Sequence, residues 1–70
     1  MQDAQKIVGE RVRVHRLRVG MTQQSLAAAV GTSKSRLCEI EGGKHNLSLR
    51  QLGKLADGLG VSLEELFEGL

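Results

Sequence analysis

The sequence predicts an all-α protein: five helices forming one domain over residues 1–70. Three observations lead to this fold class. The chain has no proline, and it is rich in residues that favour helices, such as Leu, Ala, Gln and Arg. Its apolar residues recur at helical spacing rather than in the alternation typical of strands. The five periodic segments are separated by connections of only a few residues, which favours a compact helical bundle.

The first predicted helix runs from about Asp3 to Val19. Gly20 follows as the expected C-cap. His15 is interpreted as a packed, neutral histidine rather than a ligand, because it falls on the apolar side of this helix. The residues of that stripe, spaced for one helical face, are Val8, Val12, His15 and Val19.

The second and third helices lie within the stretch TQQSLAAAVGTSKSRLCEIE, residues 22–41, and are joined by about three residues. Thr22 and Ser33 are suitable N-caps because their hydroxyl groups can accept backbone N–H groups. Gly31 suits a tight turn, where a positive φ is expected. Two helices joined in this way predict a helix-turn-helix. The residues expected to point inward are Leu26, Ala27, Val30, Leu37 and Ile40.

Capping boxes mark the starts of the fourth and fifth helices. Ser48 pairs with Gln51 in the first box, and Ser62 pairs with Glu65 in the second. Gly60 is expected to end the fourth helix. The predicted apolar faces consist of Leu49, Leu52, Leu55, Ala56 and Leu59 in the fourth helix and Leu63, Leu66 and Phe67 in the fifth.

The outer face of the third helix, residues 33–41, is the candidate functional surface. With Leu37 and Ile40 inward, this face carries residue types that suit the major groove of DNA. Lys and Arg can donate to guanine or to phosphate, and Glu can accept from cytosine N4. The charge pattern agrees with an anionic partner, since all Lys and Arg residues precede position 55 and the last ten residues carry three acidic and no basic side chains. The predicted base-reading residues are Lys34, Ser35, Arg36, Cys38 and Glu39.

Other function classes have little support in the sequence. Cys38, His15 and His45 come from different elements without metal-ligand spacing, so we expect no enzyme, metal, cofactor or small-molecule ligand. The single cysteine rules out an internal disulfide and suits the cytoplasm. No apolar run is long enough to span a membrane, so we expect no membrane partner. The only aromatic residue, Phe67, argues against RNA binding by base stacking.

The order of five short motifs resembles the XRE family, the lambda-repressor and Cro-like helix-turn-helix domains. The resemblance extends from Val8 to Phe67. Each motif is weak alone, but together at these spacings they are specific. The motifs are GERVR at 9–13, RLRVGMTQ at 16–23, LAAAVG at 26–31, LCEIEGG at 37–43 and LGKLADGLGVS at 52–62.

The resemblance implies a transcriptional regulator that binds operator DNA as a symmetric dimer. Lys34, Ser35 and Glu39 match positions that read bases in the family. Arg16 and Glu41 match a partly buried salt bridge between the first and third helices. The predicted phosphate-binding residues are Gln23, Ser33, Lys44, His45 and Asn46.

A homodimer is also expected on geometric grounds, because one short helix reads only a few base pairs. The predicted interface residues are Leu63, Leu66, Phe67 and Leu70.

Two alternatives remain open at this point. The fold can serve instead as a protein-interaction module or an antitoxin-type partner-binding protein. Cys38 is either an oxidation-sensitive contact or a small filler residue.

Overall fold

The computed structural model describes residues 3–68, which form five α-helices and contain no strand. The predicted all-α fold class is therefore confirmed. None of the helices in this part of the chain is both long and apolar enough to cross a membrane. The helices are α1 (Ala4–Arg18), α2 (Gln23–Val30), α3 (Lys34–Glu41), α4 (Leu49–Leu59) and α5 (Leu63–Leu66).

Local side-chain interactions begin all five helices. Asp3, Thr22, Ser33, Ser48 and Ser62 each accept a backbone N–H from the first turn of the helix that follows. The capping boxes predicted for α4 and α5 are both formed, and α2 has a third box that was not predicted. The start of each helix is thus determined within about four residues of its own sequence.

The core lies where the five helices meet. Helix α3 packs against α1 and α2, α4 packs against α2, and α5 contacts both α4 and α1. Burial of apolar side chains in this core stabilises the bundle. Its buried apolar residues are Val12, Leu26, Ala27, Leu37, Ile40, Leu55, Ala56, Leu59 and Leu66.

Two residues assigned to apolar faces by periodicity are instead exposed. Val19 is 47% exposed and Leu49 is 72% exposed. Val19, and not the expected Gly20, is the C-cap of α1, and Leu49 is the first residue of α4. Gly20 follows the cap with φ +75°. Periodicity identifies which face of a helix is apolar, but it does not show how far neighbouring helices cover that face. The inward assignment of these two residues was therefore wrong.

Arg11 holds α5 against α1 through contacts that no sequence motif indicated. Its Nε donates to the carbonyl of Leu66 at 2.9 Å, and its Nη2 donates to the carbonyl of Glu68 at 2.6 Å. Nη2 also lies 3.4 Å from Nε2 of His15, a residue that is only 7% exposed. His15 is packed as predicted, and Arg11 satisfies carbonyl groups at the end of α5 that have no partner within the helix.

Candidate nucleic-acid interface

The α2–α3 pair has the close crossing and tight turn of a helix-turn-helix. Gly31 has φ +76°, a conformation that side-chain-bearing residues rarely adopt. The N–H of Thr32 donates to the carbonyl of Ala27 at 2.9 Å and closes the turn. Leu26 and Leu37 are fully buried and join the two helices to the core. The angle at which α3 is presented is therefore fixed by packing.

The five predicted base-reading residues are all exposed on α3, but they point in different directions. Successive residues of a helix are rotated by about 100° around its axis. With Leu37 and Ile40 buried, the centre of the outer face falls on Ser35, Cys38 and Glu39. Lys34 and Arg36 lie on opposite flanks of that centre.

Lys34 faces the N-terminal end of α2. It lines a shallow surface depression together with Thr22, Gln23 and Gln24. The structure thus brings a predicted base-reading residue, Lys34, next to a predicted phosphate-binding residue, Gln23. A ligand touched by one of these side chains is within reach of the other.

Arg36 faces α4 on the other flank of α3. It lines a groove with Gln51 and Lys54 of α4 and with the turn residues Gly31 and Thr32. Neither Arg36 nor Lys54 forms an ion pair within residues 3–68. Sequence reasoning missed Lys54, because only the tertiary packing of α4 brings it near α3. Two cations beside this edge of α3 favour contact with an anionic group.

The structure brings together Arg16 and Glu41, the pair predicted to link α1 and α3. Nε of Arg16 donates to Glu41 Oε2 at 2.7 Å, and Nη2 donates to Oε1 at 3.1 Å. Nη1 of Arg16 also donates to the carbonyl of Met21 at 2.9 Å. The side chains of Arg16 and Glu41 are only 10% and 4% exposed. The hydrogen bond from Glu41 raises the pKa of Arg16 above its ordinary value, outweighing the effect of burial.

The same carboxylate also holds Gln23. Nε2 of Gln23 donates to Glu41 Oε1 at 3.1 Å. Glu41 therefore connects α1, the start of α2 and the end of α3 in one polar cluster. Nε2 of Gln23 retains a second N–H, so it can still donate to a phosphate from this position.

The predicted phosphate-binding residues that follow α3 lie in the loop of residues 42–48. Lys44 and Asn46 are exposed, and His45 is partly buried. The backbone N–H of Lys44 donates to the carbonyl of Glu39 at 3.0 Å. Nε2 of His45 lies 3.4 Å from Oε1 of Glu39. The loop is therefore tied to the outer face of α3 by both backbone and side-chain contacts.

Two other predicted site residues are exposed on this surface. The hydroxyl oxygen of Ser33 accepts the N–H of Arg36 at 3.1 Å. Its own hydrogen remains free to donate to a phosphate. Cys38 is an exposed free thiol at the centre of the α3 outer face.

The predicted dimer interface needs one correction. Leu66 is completely buried in the core, so its assignment to the interface was wrong. Helix α5 packs on α4 and α1, and this packing buries the Leu66 side chain completely. Leu63 and Phe67 pack against the core but remain partly exposed. Leu70 lies outside the residues that the structure describes.

Comparison with known proteins gives three findings. A family model described as a helix-turn-helix domain matches residues 7–68. The chain is 40% identical over 57 residues to an uncharacterised HTH-type transcriptional regulator from Archaeoglobus fulgidus, with 81% of each chain covered. It is 34% identical over 58 residues to the control protein C.MunI from a Mycoplasma species, covering 83% of this chain and 78% of that one.

Among solved structures, the chain is similar to the restriction-modification controller protein C.AhdI from Aeromonas hydrophila. The two superimpose with a TM-score of 0.83 at 35% sequence identity. The match covers 89% of this chain and 90% of that chain. The likeness therefore spans most of the helical domain that carries the surface described above.

Proposed function

The chain belongs to the helix-turn-helix domain family and is an XRE-like DNA-binding transcriptional regulator, and from this premise we propose how it binds DNA. In the proposal, a homodimer binds a palindromic operator in the cytoplasm, with α3 of each subunit in the major groove. The operator lies upstream of the protein's own gene, as in an autoregulatory controller of a restriction–modification system. The controller type is suggested by the similarity to C.MunI and C.AhdI.

The observation that carries the proposal is the exposed outer face of α3 on a rigid support. Ser35, Cys38 and Glu39 form the centre of this face, and a polar cluster around Glu41 fixes α3 relative to the other helices. Polar groups on a helix held at a fixed angle can make directional hydrogen bonds to base edges. Base reading needs this precision, whereas attraction to phosphates does not.

The two flanks of α3 have different roles in the proposal. Lys34 reads a base edge at the N-terminal end of the helix, where helix-turn-helix proteins contact bases. Arg36, which the sequence analysis placed among the base-reading residues, is assigned in this proposal to phosphate together with Lys54, because both face the same groove away from the centre of the outer face. The remaining phosphate contacts are made by Gln23, Ser33, Lys44, His45 and Asn46. The acidic C-terminal residues point away from the DNA.

Lys34→Ala is expected to weaken binding to the operator roughly ten-fold more than binding to random DNA, because a base contact adds sequence-dependent free energy. Lys54→Ala is the matched control, since it removes a positive charge that we assign to phosphate. It should weaken both interactions equally and reduce the salt dependence of binding. Fluorescence anisotropy titrations at two salt concentrations measure both effects. Equal losses for Lys34→Ala on the two DNAs would make Lys34 a phosphate contact.

Leu63→Asp is expected to yield monomers that bind the operator weakly. Leu63 is a partly exposed apolar residue of α5, and a carboxylate there would be desolvated in a dimer interface. Leu49→Asp is the comparison, because Leu49 is the most exposed large apolar residue in the described chain. Sedimentation velocity gives the mass, and circular dichroism checks that each variant is folded. A dimer with Leu63→Asp and a monomer with Leu49→Asp would move the interface to the start of α4.

The overall proposal is tested by anisotropy of the unaltered protein on the DNA upstream of its own gene and on random DNA. A preference for the upstream fragment that survives higher salt supports a sequence-specific, autoregulating factor. Equal and steeply salt-dependent binding would reflect phosphate attraction only. That result would contradict autoregulation and favour the alternative of a protein-interaction module.

A further inference from the structure

We propose that His45 is a positioning residue that orients the carboxylate of Glu39, so that the loop after α3 sets the base preference of the helix. The inference rests on the proposed function, in which Glu39 reads a base. Its starting point is the 3.4 Å distance between His45 Nε2 and Glu39 Oε1. Besides the Arg16–Glu41 bridge, this is the only pairing of an acidic and a basic side chain within residues 3–68.

His45 is the better anchored of the two side chains. It is 29% exposed, whereas the Glu39 side chain is 54% exposed. His45 lines a crevice with Ala4, Gln5 and Val8 of α1. The imidazole is the less exposed of the two side chains and so has fewer accessible positions, while Glu39 projects from α3 toward solvent. The contact therefore constrains Glu39 more than it constrains His45.

The backbone of the loop is held on both sides. The N–H of Lys44 donates to the carbonyl of Glu39 at 3.0 Å. Gly43 packs so closely on Lys6 that a Cβ at Gly43 would lie 2.6 Å from Lys6 Cγ. The loop thus contacts both the start of α1 and the end of α3. These contacts fix the position of the His45 backbone relative to Glu39.

The contact with His45 affects how the Glu39 carboxylate can recognise a base. A glutamate on a DNA-binding surface is repelled by the phosphates. A hydrogen bond from a donor on a base, such as cytosine N4, offsets this repulsion. A hydrogen bond donated by His45 Nε2 to Glu39 Oε1 favours one orientation of the carboxylate and leaves Oε2 available to accept from the base. Preorganising a side chain before binding reduces the conformational entropy lost when the complex forms. His45 then contributes to discrimination at a base pair that it does not touch.

The experiment compares the affinity of each variant for the operator and for operators with single base-pair changes. Glu39→Ala identifies the base pair whose identity Glu39 reads. His45→Ala is expected to reduce discrimination at that same base pair roughly five-fold or more, with smaller effects elsewhere. His45→Gln should restore much of it, because a glutamine amide can also donate to Glu39. In a Glu39→Ala background, His45→Ala should cause no further loss of discrimination.

Lys44→Ala is the matched control, because Lys44 is the exposed neighbour that we assign to phosphate. It should weaken binding to every DNA by the same factor. A loss of affinity for His45→Ala that is the same on every operator, with discrimination unchanged, would overturn the inference and leave His45 with its phosphate contact alone. A loss of discrimination that does not depend on Glu39 would overturn it too. If wild-type protein showed no base preference at all, the proposed function would fail first, and the inference would fail with it.

Discussion

Glu41→Ala is expected to lower the free energy of unfolding by about 3 kcal/mol, because it leaves the guanidinium of Arg16 mostly buried without its carboxylate. A domain is typically stable by about 0.05–0.15 kcal/mol per residue, which is roughly 4–10 kcal/mol for this chain. The loss would therefore be a large fraction of the total. Urea denaturation followed by circular dichroism measures it, and the melting temperature should fall by more than about 10 °C.

The controls separate an unpaired charge from a simple lost contact. Glu39→Ala breaks the exposed contact with His45 and should cost less than about 1 kcal/mol. The double variant Arg16→Met, Glu41→Leu removes both charges and should be more stable than Glu41→Ala alone. If the double variant were as unstable as Glu41→Ala, the effect would come from lost packing rather than from the orphaned charge.

Gly9→Ala should destabilise the domain by about 2–3 kcal/mol, the cost of forcing an extra methyl group into a tightly packed contact. A Cβ at Gly9 would lie 2.7 Å from the carbonyl oxygen of Glu41 and closer still to that of Ile40. Both obstacles are backbone atoms at the end of α3, so no side chain can rotate away. Helix α1 would have to move from α3, and chemical denaturation would report the cost.

Gly53→Ala is the matched control, because Gly53 is also inside a helix but a methyl group added there would have no neighbouring atom within 4 Å. There the substitution should stabilise the protein by about 0.5–1 kcal/mol, since alanine favours helix and glycine does not. Opposite signs for the two Gly→Ala variants would show that α1 and α3 need a residue without a side chain at their contact. A neutral Gly9→Ala would mean that the helices can separate easily.

Glu41→Ala and Gly9→Ala alter the same contact between α1 and α3. Gly9 permits the close approach of the helices, and the Arg16–Glu41 pair holds them there. Gln23 joins this cluster through Glu41, so the start of α2 depends on the same contact. Since α3 carries the proposed base-reading residues, variants that shift it should also impair operator recognition.

The helix starts and the fold class were predictable because they depend on short-range interactions. Ser48 and Gln51 form their capping box within a single turn, and Ser62 and Glu65 do the same. The tight turn at Gly31 likewise follows from its position between two periodic segments. These features involve residues three or four positions apart, which the sequence displays directly.

Burial was predicted less well, because it depends on residues far away in the chain. Leu49, Leu63 and Leu66 all lie on apolar stripes, yet Leu49 is exposed, Leu63 is half-buried and Leu66 is fully buried. The difference arises from where α1, α2 and α5 happen to cover α4 and one another. No periodicity within a single helix contains that information.

By itself, the sequence determined the number of helices, the N-caps of α2 to α5, the turn between α2 and α3, and the residues of the outer face of α3. Only the tertiary structure decided that Lys34 faces α2 while Arg36 faces Lys54 of α4, and that His45 reaches Glu39. The physical reason is the range of the interactions. Caps and turns form between neighbours in the chain, whereas the flanks of a recognition surface are set by packing between distant helices.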